Sequence, residues 1–427
     1  TALLPAACAL SAGVFSGGVS PAVAAPYGPL NPNFDAGIAV RQPRTTTLPA
    51  VLTREQAVEE ALARSPAIIA AEAELAMARG RLRQAGIRPN PDLNVEVENF
   101  AGSGAYSGVN GAETTVSISQ RLDIGGRRAA RIGVAQASVV AQEIRLEIAK
   151  ADLAQSVRGQ FALALATEAR LTLAKANRSR AWELARVADE LVAAGREPPL
   201  RAFRAKAHAA QADAALVTAQ ADDLAARRSL TATLGTAEPI GRIQDWDMAA
   251  ATPAADARMM LEVRLANAEY LIAQADLGME NAARRLDPSV GAGMRRIEDS
   301  GDTAFVASFA MPLPISDRNQ GNIAAARAGL RAAEARLNSA VALASVRIGN
   351  ARTGFDAART RVDALEGVAV PQAAEALRLA DLAYRAGRLS LMELLDAHAA
   401  SAAAQSELID ARFALAEADA ALVRAVA

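Results

Sequence analysis

Two hydrophobic rhythms alternate along the chain. In the first, Leu93, Val95 and Val97 are apolar while Asn94, Glu96 and Glu98 between them are polar. Such period-2 spacing predicts a strand with two unlike faces. After a loop containing Gly102, Gly104, Gly108 and Gly111, Val116, Ile118 and Leu122 alternate with Ser117 and Ser119. The two runs predict a long β-hairpin over about residues 92–122. A second hairpin is predicted over about 289–313, from Val290, Ala292 and Met294, then Gly301, then Phe305, Ala307, Phe309 and Met311. Each run has about the 9 to 11 residues that a tilted strand needs to cross a bilayer. The alternation fits a soluble antiparallel sheet with one wet face equally well.

The second rhythm is helical. Thr53-x-x-Gln56 reads as a capping box, Leu52, Ala57, Ala61 and Leu62 begin an apolar stripe, and Pro89-Asn90-Pro91 closes a helix expected to run to about Gly86. From Arg127 to about Val192 there is no proline, which predicts a helix on the order of 100 Å long. Gly195 and Pro198-Pro199 turn the chain, and Leu200–Leu234 returns. The plan recurs with Asn319–Ala386 going out, Gly387 turning, and Leu389–Val426 coming back. Pro371 is expected to bend the outgoing segment.

This recurrence is a duplication. Val192-Ala193-Ala194-Gly195-Arg196 echoes Tyr384-Arg385-Ala386-Gly387-Arg388, and the two glycines lie 192 residues apart. Val116–Ile124 echoes Ala307–Ile315 at an offset of 191. The organisation predicted is a leader at 1–24, an extended arm at 25–52, a first repeat at 53–235 with its tip at 193–199, a linker at 236–257 carrying Trp246, and a second repeat at 258–427 with its tip at 386–390. A duplicated unit suits a symmetric scaffold or conduit better than one asymmetric pocket. Four strands above two thin helical hairpins would leave open sheet edges and uncovered helices, so the architecture demands further copies.

Composition narrows the class. Hydrophobic residues reach 52% but aromatics only 4%, so Ala, Leu and Val carry the apolar count. Such residues suit close-packed slender helices. A net charge of −1 supplies no basic field for nucleic acid, and one cysteine excludes a disulfide framework. Thr1–Phe34 carries no charge, and Ala22-Val23-Ala24 matches a signal-peptidase site with cleavage after Ala24. The missing initiator Met and basic n-region make the leader read as truncated at its start. Cys8 as a lipidation site is the other possibility, although Pro5 stands where a lipobox carries Leu. Past Phe34 no apolar run reaches the roughly 20 residues of a membrane-spanning helix. An exported chain of this kind is either soluble in the periplasm or a β-barrel.

Candidate chemistry is sparse. His208 and His398 stand 13 and 11 residues past their glycines, without a second ligand at helical spacing. They read as ordinary helix-face histidines, and no metal site, cofactor or catalytic residue is expected. A di-metal enzyme would need Glu-x-x-His pairs, whereas Ala205 and Leu395 occupy the positions three before the histidines. Glu393 and Asp396, at i and i+3, share one helix face and would attract cations if repeated around an axis.

Pro89-Asn90-Pro91-x-Leu93-x-Val95-Glu96-x-Glu98-Asn99, Gln120-Arg121-Leu122-Asp123-Ile124-Gly125-Gly126-Arg127-Arg128 and Tyr384-x-x-Gly387 with Leu394-Leu395-Asp396-Ala397 occur in this order. Together they resemble the TolC-type outer-membrane efflux factors, most closely the heavy-metal, CzcC-like branch. The resemblance implies a mainly α fold with a small β part, in which a homotrimer forms a 12-stranded outer-membrane β-barrel continued by an α-helical barrel in the periplasm. It implies an exit duct for heavy-metal cations, working with a periplasmic adaptor and a proton-driven inner-membrane transporter of the resistance–nodulation–division class. It makes Ala194, Gly195, Arg196, Ala386, Gly387 and Arg388 adaptor-docking tips, and Tyr384, Arg388, Glu393 and Asp396 a gate at the pore entrance. The chain departs from the family in carrying Leu389 where an arginine is frequent, with Arg388 directly after Gly387. A duct for drugs or secreted protein, or a soluble periplasmic coiled-coil adaptor or scaffold, would share much of this pattern.

Overall fold

The computed structural model describes residues 49–236, 240–244, 246 and 256–427. The expected leader at 1–24, Cys8, nearly all of the arm at 25–52 and much of the linker at 236–257 lie outside the described residues.

The first helical segment departs from expectation. It is two helices, α1 (Arg54–Arg64) and α2 (Pro66–Ala85), rather than one. Thr53 and Gln56 form the predicted capping box on α1. Ser65 then ends α1, and its hydroxyl caps α2 by accepting from the Ala67 N–H at 3.3 Å. Pro66 lacks the N–H that a continuing helix would use, which is why the break falls here. Just upstream, β1 (Val51–Leu52) pairs in parallel with β4 (Arg242–Ile243).

Strands β2 (Asp92–Glu98), β3 (Glu113–Arg121), β5 (Ser289–Ile297) and β6 (Thr303–Ala310) form one antiparallel sheet in that order. They run 7, 9, 9 and 8 residues. The edge strands are thus shorter than the alternation suggested, because Asn99 leaves the strand region at φ 57° after β2 and Pro312 follows β6. The register aligns the two rhythms across all four strands. Leu93, Ile118, Ala292 and Ala307 form one row, and Val95, Val116, Met294 and Phe305 the next. On the other face lie Asn94, Ser117, Gly293 and Val306, then Glu96, Thr115, Arg295 and Ala304. One face is apolar yet open to its surroundings, with Phe305 88% exposed. A soluble sheet would bury that face.

The helical part follows the predicted plan. Helix α3 (Arg127–Ala193, 67 residues) goes out and α4 (Pro199–Thr233) returns. Helix α5 (Leu261–Ala283) leads into β5. In the second repeat the outgoing path is α6 (Gln320–Ala364), a five-residue π segment at Leu365–Ala369, and α7 (Val370–Arg385); α8 (Leu391–Val426) comes back. The missing N–H of Pro371 is absorbed by the wider π turn immediately before it, rather than by a break.

No single large core exists among the described residues. Small clusters are strung along the helices, the thickest joining Leu52, Val157, Phe161, Leu230, Leu234 and Ile243, with Trp246 against it. Helix α4 carries two heptad stripes. Ala202, Ala205, Ala209, Ala219, Ala226 and Leu230 are buried. Leu200, Phe203, Ala207, Ala210, Ala214, Val217, Ala221 and Leu224, spaced 3 and 4 alternately, are all exposed. The second stripe has the spacing of a coiled-coil seam but is uncovered in the single chain.

Candidate gate, docking tips and junction

The two tips close in the same way. At the first, the Gly195 N–H donates to the Val192 carbonyl at 3.0 Å and the Arg196 N–H to that of Leu191 at 2.9 Å. At the second, the Gly387 N–H donates to the Tyr384 carbonyl and the Arg388 N–H to that of Ala383, both at 2.9 Å. Gly195 and Gly387 take φ of 69° and 66°. A Cβ at either would meet nothing within 4 Å. The requirement for glycine is therefore left-handed backbone, not space. Ala194, Arg196, Ala386 and Arg388 are all exposed around these turns.

Tyr384 packs against the alanine-lined tip cluster of Ala185, Ala188, Ala202 and Ala205 with Leu391 and Leu395, which joins the two hairpins. Its hydroxyl is buried without a hydrogen-bond partner among the described residues. Burial, and then the nearby Glu197 carboxylate, raise its pKa, while Arg201 opposes them. Glu197 itself pairs with Arg201. Sequence reading did not find this pair, because nothing in its spacing points across to Tyr384.

Glu393 and Asp396 are both exposed on the first turns of α8, three residues apart on one helix. Glu393 also has a local task. Its carboxylate accepts from both the N–H and the hydroxyl of Ser390 at 2.8 Å, and these bonds hold its pKa below the ordinary range. The pattern Ser390-x-x-Glu393 is a capping box legible in the sequence.

The two histidines, expected as ordinary helix-face residues, line one cavity. His208 on α4 and His398 on α8 line a space of about 230 Å³ together with Arg180 of α3. Among the described residues no group of three or more His, Cys, Asp or Glu is arranged to hold a metal ion.

At the opposite end, the Gln120–Arg128 motif joins sheet to helix. Gly126 (φ 78°) precedes α3, and the Asp123 carboxylate accepts from the Arg128 N–H at 3.2 Å. Arg127 donates to the carbonyls of Ala283 and Arg285 at 2.6 and 2.7 Å and pairs with Asp287 at 3.0 Å. Arg285 returns a bond to the Gly125 carbonyl at 3.1 Å. In the second repeat Asn319 (φ 60°) stands where Gly126 does, and its amide bonds Glu280. No described helix is long and apolar enough to cross a membrane.

A two-sided four-stranded sheet on a duplicated pair of very long helical hairpins defines a class. The model of the outer membrane efflux protein family matches residues 57–236 and 257–427, and the chain belongs to that family. It is an outer-membrane efflux channel protein. Among curated relatives, it is 29% identical to the cobalt-zinc-cadmium resistance protein CzcC of Cupriavidus metallidurans, over 86% of this chain and 89% of that one. It is 33% identical to the nickel and cobalt resistance protein CnrC of the same organism, over 66% and 68%. The fold is like that of the outer membrane protein VceC of Vibrio cholerae (TM-score 0.71, 22% identity, 87% and 95% covered). It is also like that of CusC (TM-score 0.75, 18% identity, 87% and 91% covered).

Proposed function

We propose that three copies of this chain form a 12-stranded barrel in the outer membrane, continued by a helical tube, and that this duct releases heavy-metal cations. The observation that carries the proposal is the sheet. Its apolar face is exposed, its other face is mostly polar, and the outer edges of β2 and β6 pair with no strand among the described residues. In hydrocarbon every backbone group must be paired, so such a sheet is stable only when closed on itself. Three copies place the apolar rows toward lipid and line the lumen with Ser117, Ser119, Gly291, Gly293 and Ser308. The exposed heptad stripe of α4 supports the same assembly, since a neighbouring copy supplies the helix face it lacks.

The tips at Ala194-Gly195-Arg196 and Ala386-Gly387-Arg388 are the surfaces we assign to a periplasmic adaptor, which couples the duct to a proton-driven inner-membrane transporter. Tyr384, Arg388, Glu393 and Asp396 would then stand at the entrance in three copies. Asp396, exposed and without a partner among the described residues, is the freer of the two carboxylates to meet a cation. The duct performs no bond chemistry and need only open and conduct. Metal cargo is inferred from the relatives' resistance to cobalt, zinc, cadmium and nickel. Deleting the gene should raise sensitivity to those cations, with rescue by the intact gene. Unchanged metal tolerance with new sensitivity to organic drugs would reassign the cargo.

A further inference from the structure

The cavity shared by His208 and His398 lies where the two helical hairpins of one chain meet. His208 comes from α4, His398 from α8, and α3 lies between them, supplying Arg180, Asn177 and Leu184 to the wall. His398 also lines a second, larger groove of about 680 Å³, bounded by α3, α7 and α8, which reaches Tyr384 at the tip. One imidazole thus sits between the first hairpin, the second hairpin and the candidate gate.

The charges facing it are unequal. From α3 come Arg180 and Glu183, from α4 His208, and from α7 Asp381, with Arg378 and Arg385 along the same groove. Asp381 is already paired with Arg385 at 2.9 Å, and Arg378 with Glu375 at 2.7 Å. Arg180 makes no ion pair among the described residues, so its charge is left facing the cavity. The Nδ1 of His208 is buried and makes no hydrogen bond among the described residues. A neutral His398 tolerates these surroundings, whereas an imidazolium there would set a second positive charge beside Arg180 in a space of about 230 Å³.

We propose that His398, facing His208 and Arg180 across their shared cavity, is an acid-sensitive latch between the two helical hairpins, and that protonating His398 drives the hairpins apart and opens the periplasmic entrance of the duct. The proposal rests on the duct reading. Its sign follows from the site. Burial, then Arg180, hold the His398 pKa below its ordinary 6.5 in the packed form; His208 adds to the effect, and Asp381 and Glu183 oppose it without reversing it. An opened hairpin admits water and restores the ordinary value. The packed form is therefore fully favoured above about 6.5 and loses its advantage as the pH falls toward the lowered value. Each unit of difference between the two forms changes the open-to-packed ratio by up to about tenfold.

The test uses the full-length oligomer in two measurements. In planar bilayers, open probability should rise at least about threefold between pH 7.5 and 5.0. His208→Gln with His398→Gln should flatten the rise, and Arg180→Gln should move its midpoint toward higher pH. In detergent micelles, hydrogen exchange across Leu391–Gln405 should quicken on acidification in the parent and not in the double glutamine variant. A rise that survives both substitutions overturns the latch, as does exchange that ignores pH. If zinc chloride at pH 7.5 mimics acid in the parent but not in the double variant, the pair is a metal site and the latch is wrong. Absence of conductance at every pH counts against the duct, while the exchange measurement still decides the latch.

Discussion

Glu393 and Ser390 bond to each other in both directions. The carboxylate accepts from the Ser390 N–H at 2.8 Å, and the Ser390 hydroxyl accepts from the Glu393 N–H at 3.4 Å. A residue that the family resemblance makes a candidate pore charge is thus the cap of α8. Ser390→Ala should cost about 1 kcal/mol and fray the turn that carries Leu391 and Leu394, seen as faster hydrogen exchange there. The carboxyl is held below its ordinary 4.5 by Ser390, so the capping contribution is complete above that value and is lost as the pH falls through the lowered one.

Because Glu393 is engaged, the two carboxylates should contribute unequally at the entrance. Asp396→Ala is expected to weaken cation selectivity more than Glu393→Ala, and the double variant most of all. Reversal potentials in a salt gradient measure this. Equal, unshifted potentials in all three variants would remove the acidic entrance from the account.

Gly293 tests the sheet. A Cβ there would stand 2.4 Å from the Val116 carbonyl oxygen and 2.6 Å from the Ser117 Cβ. Even Gly293→Ala should disrupt β3–β5 pairing and deplete the protein from outer-membrane fractions. Its neighbour Ala292 lies on the exposed apolar face, and Ala292→Val should assemble normally if that face meets lipid.

The junction clasp gives a stability prediction. Removing the Arg127 guanidinium, as in Arg127→Met, strands two carbonyls and Asp287. It should cost about 2–3 kcal/mol and lower the temperature at which the oligomer dissociates, read on semi-native gels. Phe203→Glu or Val217→Glu on the exposed α4 stripe should dissociate the oligomer at lower temperature as well. Thr218→Glu, exposed but off the stripe, should not.

Much of this molecule could be read along the chain. The tips were legible because Gly195 and Gly387 answer a backbone demand that only glycine meets cheaply. The sheet was legible because two unlike faces force strict alternation, and the register then aligned those faces across four strands. The break at Ser65–Pro66 was missed because apolar positions keep helical spacing across it. The π segment at Leu365–Ala369 escaped because Pro371 signals a disturbance without stating its form. The histidine pair was invisible for a different reason. His208 and His398 share a cavity only through the packing of α4 and α8 about α3, and no spacing within one helix encodes a meeting across three. Glu393 adds a local reason for its type, since it closes the capping box of α8 with Ser390.

Whether this chain forms a membrane duct is decided by single-channel recording on the detergent-extracted protein in a planar bilayer. Stepwise conductance from a heat-dissociable trimer is expected, reduced when Gly293→Ala spoils the sheet. A protein that fractionates without detergent and yields no conductance steps would contradict it.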